Sequence, residues 1–288
     1  MRRIAAIIVL LMPMVVTILA VVIFTTGTAA KKGQIMNEEQ IAASGDGLKE
    51  LSIKVVYDNN PSKEGLGTSW GFAAVVAGAE KTILFDTGGD GTLLLSNMKK
   101  LDIEPNSVDV VVLSHVHPDH TGGLASFLEK NGKVTVYALK AFAAKFAEAV
   151  RSCGAKMVEV EQPVKICEDV YSTGQVGRLL KEQALVVRTE KGLVVITGCA
   201  HPGIVKMVST AKELMKEDIL LVMGGFHLEW ATAGKVEKIV SSFEELGVRY
   251  VGPCHCTGHK ARDLFEKRYG DHYISVGVGK VISLADLQ

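Results

Sequence analysis

The segment Leu113-Ser114-His115-Val116-His117-Pro118-Asp119-His120-Thr121-Gly122-Gly123 places four potential metal ligands, His115, His117, Asp119 and His120, within six residues. It follows Val108-Asp109-Val110-Val111-Val112, an apolar, β-branched run that reads as a buried strand, so the ligands sit where a strand opens into a loop. His115 and His117 alternate and face the same way if the backbone stays extended, whereas Asp119 and His120 lie beyond Pro118, where the chain turns. The spacing therefore offers two clusters of ligands rather than one. Imidazole with carboxylate suits zinc, iron or manganese, and a carboxylate between two ions can hold or deprotonate a water, which makes Asp119 the candidate catalytic group. A histidine-rich surface loop is the ordinary alternative, but H-x-H-x-D-H before T-G-G is more specific than composition alone.

Other elements must bring partners to this segment. Apolar alternation predicts strands over residues 51–57, 70–76 and 81–85, then a helix over 92–101 before the central strand. A helix to about residue 130, a strand at 134–137, a helix at 140–152 and strands at 157–160 and 164–166 continue the βα alternation. Residues 184–189 and 193–197 flank Glu190-Lys191-Gly192 as a hairpin, whose exit carries Cys199 and His201. A helix over 203–216, a buried strand over 219–223, a helix over 235–246 and a strand over 249–252 lead to His227 and His255, and a pair of short strands closes the chain between 273 and 284. Parallel strands would bring the ends that carry His227 and His255 near the others. At Asp86, which ends the third strand, a carboxylate could orient a ligating histidine through its free ring N–H or simply close a turn. His227 is a candidate ligand or substrate contact, with a hydrogen-bonded cap as the alternative, and Cys254 and Cys256, on the opposite face from His255 if the strand stays extended, are expected to pack or tune rather than ligate. His259 is expected in the first turn of a helix, and His272 is expected to be structural.

The runs Leu84-Phe85-Asp86-Thr87-Gly88, the histidine segment, Thr197-Gly198-Cys199-Ala200-His201-Pro202-Gly203, Gly224-Gly225-Phe226-His227-Leu228 and Pro253-Cys254-His255-Cys256-Thr257-Gly258 resemble the metallo-β-lactamase-fold superfamily. The resemblance covers most of the chain after about Leu51 and, within the superfamily, is to the branch named for 7,8-dihydropterin-6-methyl-4-(β-D-ribofuranosyl)aminobenzene 5′-phosphate synthase. It implies an α/β fold, a four-layer αββα sandwich with metals at one edge. It implies two divalent metal ions, zinc first and iron or manganese otherwise, one on His115, His117 and His201 and the other on Asp119, His120 and His255, with solvent between them. Many members carry a metal-bridging aspartate where this chain has Cys199, so a thiolate ligand, substitution by His201, or an asymmetric site are the alternatives there. Family position also gives Asp86 the histidine-orienting role and likens the loop over residues 58–69 to an active-site flap, its alternative being a plain connection.

Lysine plus arginine and aspartate plus glutamate each number 32, so the formal net charge is zero and there is no electrostatic case for binding nucleic acid. With 48% hydrophobic residues in 288, the chain can bury a sizeable core. Met1-Arg2-Arg3 precedes an uncharged apolar run from Ile4 to Phe24, which as a helix would extend roughly 30 Å. The expectation is a membrane anchor over 1–24, a polar tether over 25–50 and an extracytoplasmic catalytic domain over 51–288, with a cleaved signal and secretion as the alternative. Cys153 and Cys167 are most simply small apolar residues, though an oxidising compartment would allow them to pair. The function expected from these features is metal-dependent hydrolysis of an ester, lactone or phosphoester of a small molecule. The alternatives are a synthase-type transfer, a sensor that binds metal without turnover, and a di-iron redox enzyme.

Overall fold

The structure, a computed structural model, describes residues 31–32, 46–142 and 144–288. Its first sheet contains β1 (Lys31–Lys32), β2 (Ser52–Tyr57), β3 (Ala73–Ala77), β4 (Ile83–Phe85), β5 (Val110–Val112), β6 (Thr135–Leu139), β7 (Lys156–Val160) and β14 (Val281–Ser283), in the order β1-β7-β6-β5-β4-β3-β2-β14. The second contains β8 (Val164–Cys167), β9 (Val170–Ser172), β10 (Leu185–Thr189), β11 (Gly192–Thr197), β12 (Ile219–Gly225) and β13 (Tyr250–Cys254), in the order β13-β12-β11-β10-β9-β8. Helices α1 (Gly91–Lys100), α2 (Pro118–Thr121), α3 (Leu124–Lys130) and α4 (Ala144–Ser152) belong to the first half, and α5 (Ile204–Met215), α6 (Ala233–Glu245) and α7 (His259–Tyr269) to the second.

Strand alternation builds the layers. In β11, Val194 and Ile196 face the first sheet's Val110, Val112 and Phe85, while Leu193 and Val195 face the opposite way, onto Met207, Val208 and Phe243 of α5 and α6. On the far side of the first sheet, Val75, Leu84 and Val111 pack on Leu94 and Met98 of α1 and Phe127 of α3. These three cores separate four layers, helices, sheet, sheet, helices. Local chemistry starts two of the helices: Asp90 accepts a hydrogen bond from Leu93 N–H at 2.8 Å ahead of α1, and Thr232 Oγ1 accepts one from Lys235 N–H at 3.3 Å ahead of α6.

Topology decides where chemistry can gather. β4 and β5 are parallel neighbours in one sheet, and β11, β12 and β13 are parallel neighbours in the other. Each set therefore delivers its carboxyl ends to one side.

The membrane expectation is corrected here. Among the described residues no helix is long and apolar enough to cross a membrane, and the run from Ile4 to Phe24 lies outside them. The anchor, the membrane partner and the extracytoplasmic or secreted location therefore have no support in the structure. Part of the stretch expected as a tether joins the fold instead: Lys31–Lys32 pairs with β7, and Leu48 bridges to Thr189. The closing pair of strands is a single strand, β14, on the edge beside β2. All five cysteines are free, Cys153 exposed and Cys167 buried.

Candidate metal centre

β5 ends at Val112, the chain bends at Val116, and the rings of His115 and His117 come to rest 4.7 Å apart, edge to face. Pro118 then opens the single turn α2, which lifts Asp119 and His120 off that line. The turn is held from below: the carbonyl of His120 accepts hydrogen bonds from Thr87 N–H at 2.8 Å and Thr87 Oγ1–H at 3.0 Å.

Two groups of donors result. One ligand atom from each of His115, His117 and His201 lies within 4.8 Å of the others, and the same holds for Asp119, His120, Cys199 and His255. The groups adjoin, since the rings of His115 and His120 are 4.3 Å apart. Asp119 Oδ2 lies 3.5 Å from His120 Nε2 and 3.3 Å from His255 Nε2. A third group, Cys199, His227 and Cys256, meets the same distance limit. The structure thus brings together His115, His117, Asp119, His120, Cys199, His201, His227 and His255, with Asp86 behind His120.

Hydrogen bonds fix which nitrogen each ring offers. Asp86, at φ +57°, accepts from Ser114 N–H and Ser114 Oγ–H, both at 2.7 Å, and stands 2.7 Å from His120 Nδ1. Because the Ser114 hydroxyl donates to Asp86, its oxygen accepts from His115 Nδ1–H at 2.9 Å, which leaves the lone pair of His115 on Nε2. His255 Nδ1 faces Asn59 Oδ1 at 3.0 Å, and Asp58 accepts from His255 N–H at 3.2 Å. Every one of these contacts turns Nε2 toward the shared space, the arrangement typical of ligating histidines.

Glu182 does the corresponding work for the second sheet. It is fully buried, and its carboxylate accepts three backbone N–H groups, from Cys199 and Ala200 at 2.8 Å and from His201 at 2.9 Å. That grip shapes the turn that carries both donors, in which Ala200 adopts φ +58°. Gly198 is required beside it, because a Cβ there would fall 2.1 Å from Ser114 Oγ and 3.0 Å from Asp86 Oδ2.

The electrostatics favour positive charge at this place. Burial pulls the His120 imidazole down, but the Asp86 and Asp119 carboxylates override it and push the group up to about 10. Burial would raise Asp119, yet the hydrogen bonds and charges of His120 and His255 hold it well below the usual carboxylate range. His115 is driven far down by burial and by the neighbouring imidazoles, and burial with the nearby His227 and His117 rings lowers His201 to about 4. Both are neutral, as ligands must be. Cys256 is pushed down chiefly by the hydrogen bond from Cys199, whose own thiol is pushed up by the same contact.

The residues fit a pair of divalent transition-metal cations. Nε2 of His115 and of His201 is buried in each case without a hydrogen-bond partner, which is costly unless something else engages it, and Nε2 of His255 faces Asp119 at 3.3 Å. The surrounding nitrogen, carboxylate and sulfur donors are those such cations take.

Two expectations change. Cys254 ends β13 and packs into the core between the sheets, but the strand stops there, and the turn His255–Thr257 swings Cys256 toward Cys199 instead of away from it. The loop after β2 is tied to the site at its start, where Asp58 and Asn60 are buried and Asn59 holds His255. Sequence reasoning missed Ser114, Asn59 and Glu182, whose partners lie far along the chain or, for Ser114, next door but invisible without the fold. It also missed Trp70 and Trp230, the chain's two tryptophans, both exposed, which line one cavity of about 390 Å³ with His227, Cys256 and Lys235. The Trp70 ring lies 4.8 Å from that of His255. The His272 ring meets that of Tyr250 edge to face at 4.8 Å and belongs to none of the donor groups.

Comparison with known proteins agrees with this architecture. The profile of the metallo-beta-lactamase superfamily matches residues 71–208. The chain is 29% identical over 284 residues to the 7,8-dihydropterin-6-methyl-4-(beta-D-ribofuranosyl)-aminobenzene-5'-phosphate synthase of Methanocaldococcus jannaschii, covering 82% of this chain and 97% of that protein. The solved structure of Tm1679, described as a metal-dependent hydrolase of the beta-lactamase superfamily, is 31% identical, with a TM-score of 0.67 over 81% of this chain and 98% of that one. The metallo-beta-lactamase fold protein YhfI from Bacillus subtilis superposes with a TM-score of 0.61 at 16% identity, covering 81% of this chain and 99% of its own, a likeness of fold. With donors from both sheets meeting at one edge of the sandwich, and with these relatives matched along most of its length, the chain belongs to the metallo-β-lactamase superfamily.

Proposed function

We propose that the protein is a metal-dependent hydrolase that cleaves an ester, lactone or phosphoester of a small molecule. The observation that carries this reading is the adjacency of the two donor groups, His115–His117–His201 and Asp119–His120–Cys199–His255, with Asp119 where the second faces the first. Two divalent cations held there, zinc by the donor chemistry, with iron or manganese also compatible, would supply a reactive hydroxide near neutral pH and offset charge on the attacked centre. Asp119, partly exposed and held as a carboxylate, accepts the proton of the attacking water and returns one to the leaving group. Trp70 and Trp230 bind the flat or apolar part of the substrate at the cavity rim, and Lys235 draws an anionic group to the same wall. The test is turnover of a panel of esters, lactones and phosphoesters by the purified full chain, alongside its metal content. Stoichiometric metal with no turnover but tight ligand binding would replace this reading with that of a sensor.

A second reading is supported by the match to the M. jannaschii synthase along nearly the whole of that protein. In it the same centre would neutralise the diphosphate that leaves a heteroaromatic donor as an aromatic amine, losing a proton, bonds to the carbon it vacates, and the two tryptophans grip the rings. Mass-spectrometric detection of the joined product from a dihydropterin diphosphate and a ribosylated aminobenzene phosphate decides for transfer. Appearance of the hydroxylated dihydropterin and free diphosphate, with the acceptor unchanged, decides for hydrolysis.

A further inference from the structure

We infer that Cys199, His227 and Cys256 form a third cation site, of the sulfur-rich kind, which shares the Cys199 sulfur with the Asp119–His120–His255 group. Their three donor atoms lie within 4.8 Å of one another, and Cys199 belongs to both groups. His120 Nε2 reaches Cys199 Sγ at 3.2 Å from one side, and Cys256 Sγ reaches the Cys199 carbonyl at 3.8 Å from the other. A thiolate can bridge two such ions. The shared sulfur thus takes the place of the oxygen ligand that an aspartate would have offered.

The site arises from the topology. β11, β12 and β13 lie side by side and parallel, and the backbone just beyond each end supplies one donor, Cys199, His227 and Cys256 in turn. Gly225, at the end of β12, leaves the room they need: a Cβ there would sit 2.8 Å from Cys256 Sγ and 3.2 Å from Cys199 Cα. His227 is held at φ +54°, a left-handed conformation that side-chain-bearing residues rarely adopt, and its ring lies 4.4 Å from that of His201.

Two sulfurs and an imidazole suit zinc or copper(I) and do not suit magnesium or calcium. Both cysteines are buried, whereas His227 is exposed and lines the cavity with Trp70 and Trp230. Three protein donors with one side toward the cavity leave a coordination position for a substrate atom, as in zinc sites that act on a ligand rather than only hold a fold. The site does not depend on which reaction the two-cation centre performs.

The test counts metal. The full chain, reduced and kept free of oxygen, is loaded with zinc or cobalt(II), and bound metal is measured by elemental analysis, with the thiolate-to-cobalt charge-transfer band read in the near ultraviolet. Cys256→Ser is expected to lose one equivalent of metal and part of that band while keeping the remaining cations. Since a serine buried there risks the fold, His227→Asn is measured beside it. His227 is exposed and asparagine tolerates the left-handed backbone, so the variant is expected to release one equivalent to a weak chelator that leaves the unsubstituted chain intact. If the unsubstituted chain holds only two equivalents and both variants keep them with an unchanged band, this site is overturned and the two-cation reading stands. A Cys199–Cys256 disulfide in the loaded chain, seen as a mass lower by two hydrogens, overturns it as well.

Discussion

Asp86 takes two hydrogen bonds from Ser114 and faces His120 Nδ1, all at 2.7 Å and all out of reach of water. Asparagine is nearly isosteric but brings an NH₂ against groups that themselves donate. Asp86→Asn is therefore expected to weaken metal binding by about 10–100-fold, the usual loss when a histidine's orienting partner is removed, while circular dichroism stays unchanged. Metal competition titration measures it. Asp119→Asn keeps a ligand oxygen but cannot take a proton, and in a hydrolase assay it is expected to lower kcat by about 10²–10⁴-fold with the cations retained. Asp86 was legible in the sequence because it ends a strand ahead of a glycine pair. Glu182 was not, because Lys181-Glu182-Gln183 reads as an ordinary charged approach to an apolar strand, and its partners at Cys199, Ala200 and His201 appear only once β10 and β11 have folded back on each other.

At the scale of elements, the exits of β5 and β11 are separated by the bare backbone of Gly198. Gly198→Ala would push Ser114 away and spread the two exits, so a loss of about 1–3 kcal/mol in denaturant unfolding is expected, together with a fall in bound metal. Helices and long strands were legible because their apolar periods are strong: the helix expected over 203–216 is Ile204–Met215, and the strand expected over 219–223 is Ile219–Gly225. Short elements were not. β9, Val170–Ser172, has too few residues to show a period and exists because it pairs with β8 and β10. The direction of Cys256 was not legible for a related reason, since period-two reasoning fails where a strand gives way to a tight turn.

For the whole molecule, the donors come from opposite sheets, His115, His117, Asp119 and His120 from one and Cys199, His201 and His255 from the other. Cations bound between them tie the halves together, and saturation at about 1,000 times the Kd is worth about 4 kcal/mol. A chelator is accordingly expected to lower Tm, and re-addition of zinc to restore it, by calorimetry. Acid acts through the same interface. His201 has its affinity for protons lowered to about 4 from 6.5 by burial and its neighbours, so the unfolded chain takes up the proton first as pH falls. Its contribution is complete above about pH 6.5 and is lost on the way down to about pH 4. His201→Asn is expected to show a shallower fall in Tm across that window.

Because about half of the chain's length lies between β5 and the turn after β13, no early fragment holds a complete set of ligands. A growing polypeptide can pair β2 through β7 while His255 is still to be made. The second donor group is thereby incomplete until the turn after β13 has docked. A product truncated before that point would lack one donor of the Asp119–His120–Cys199–His255 group.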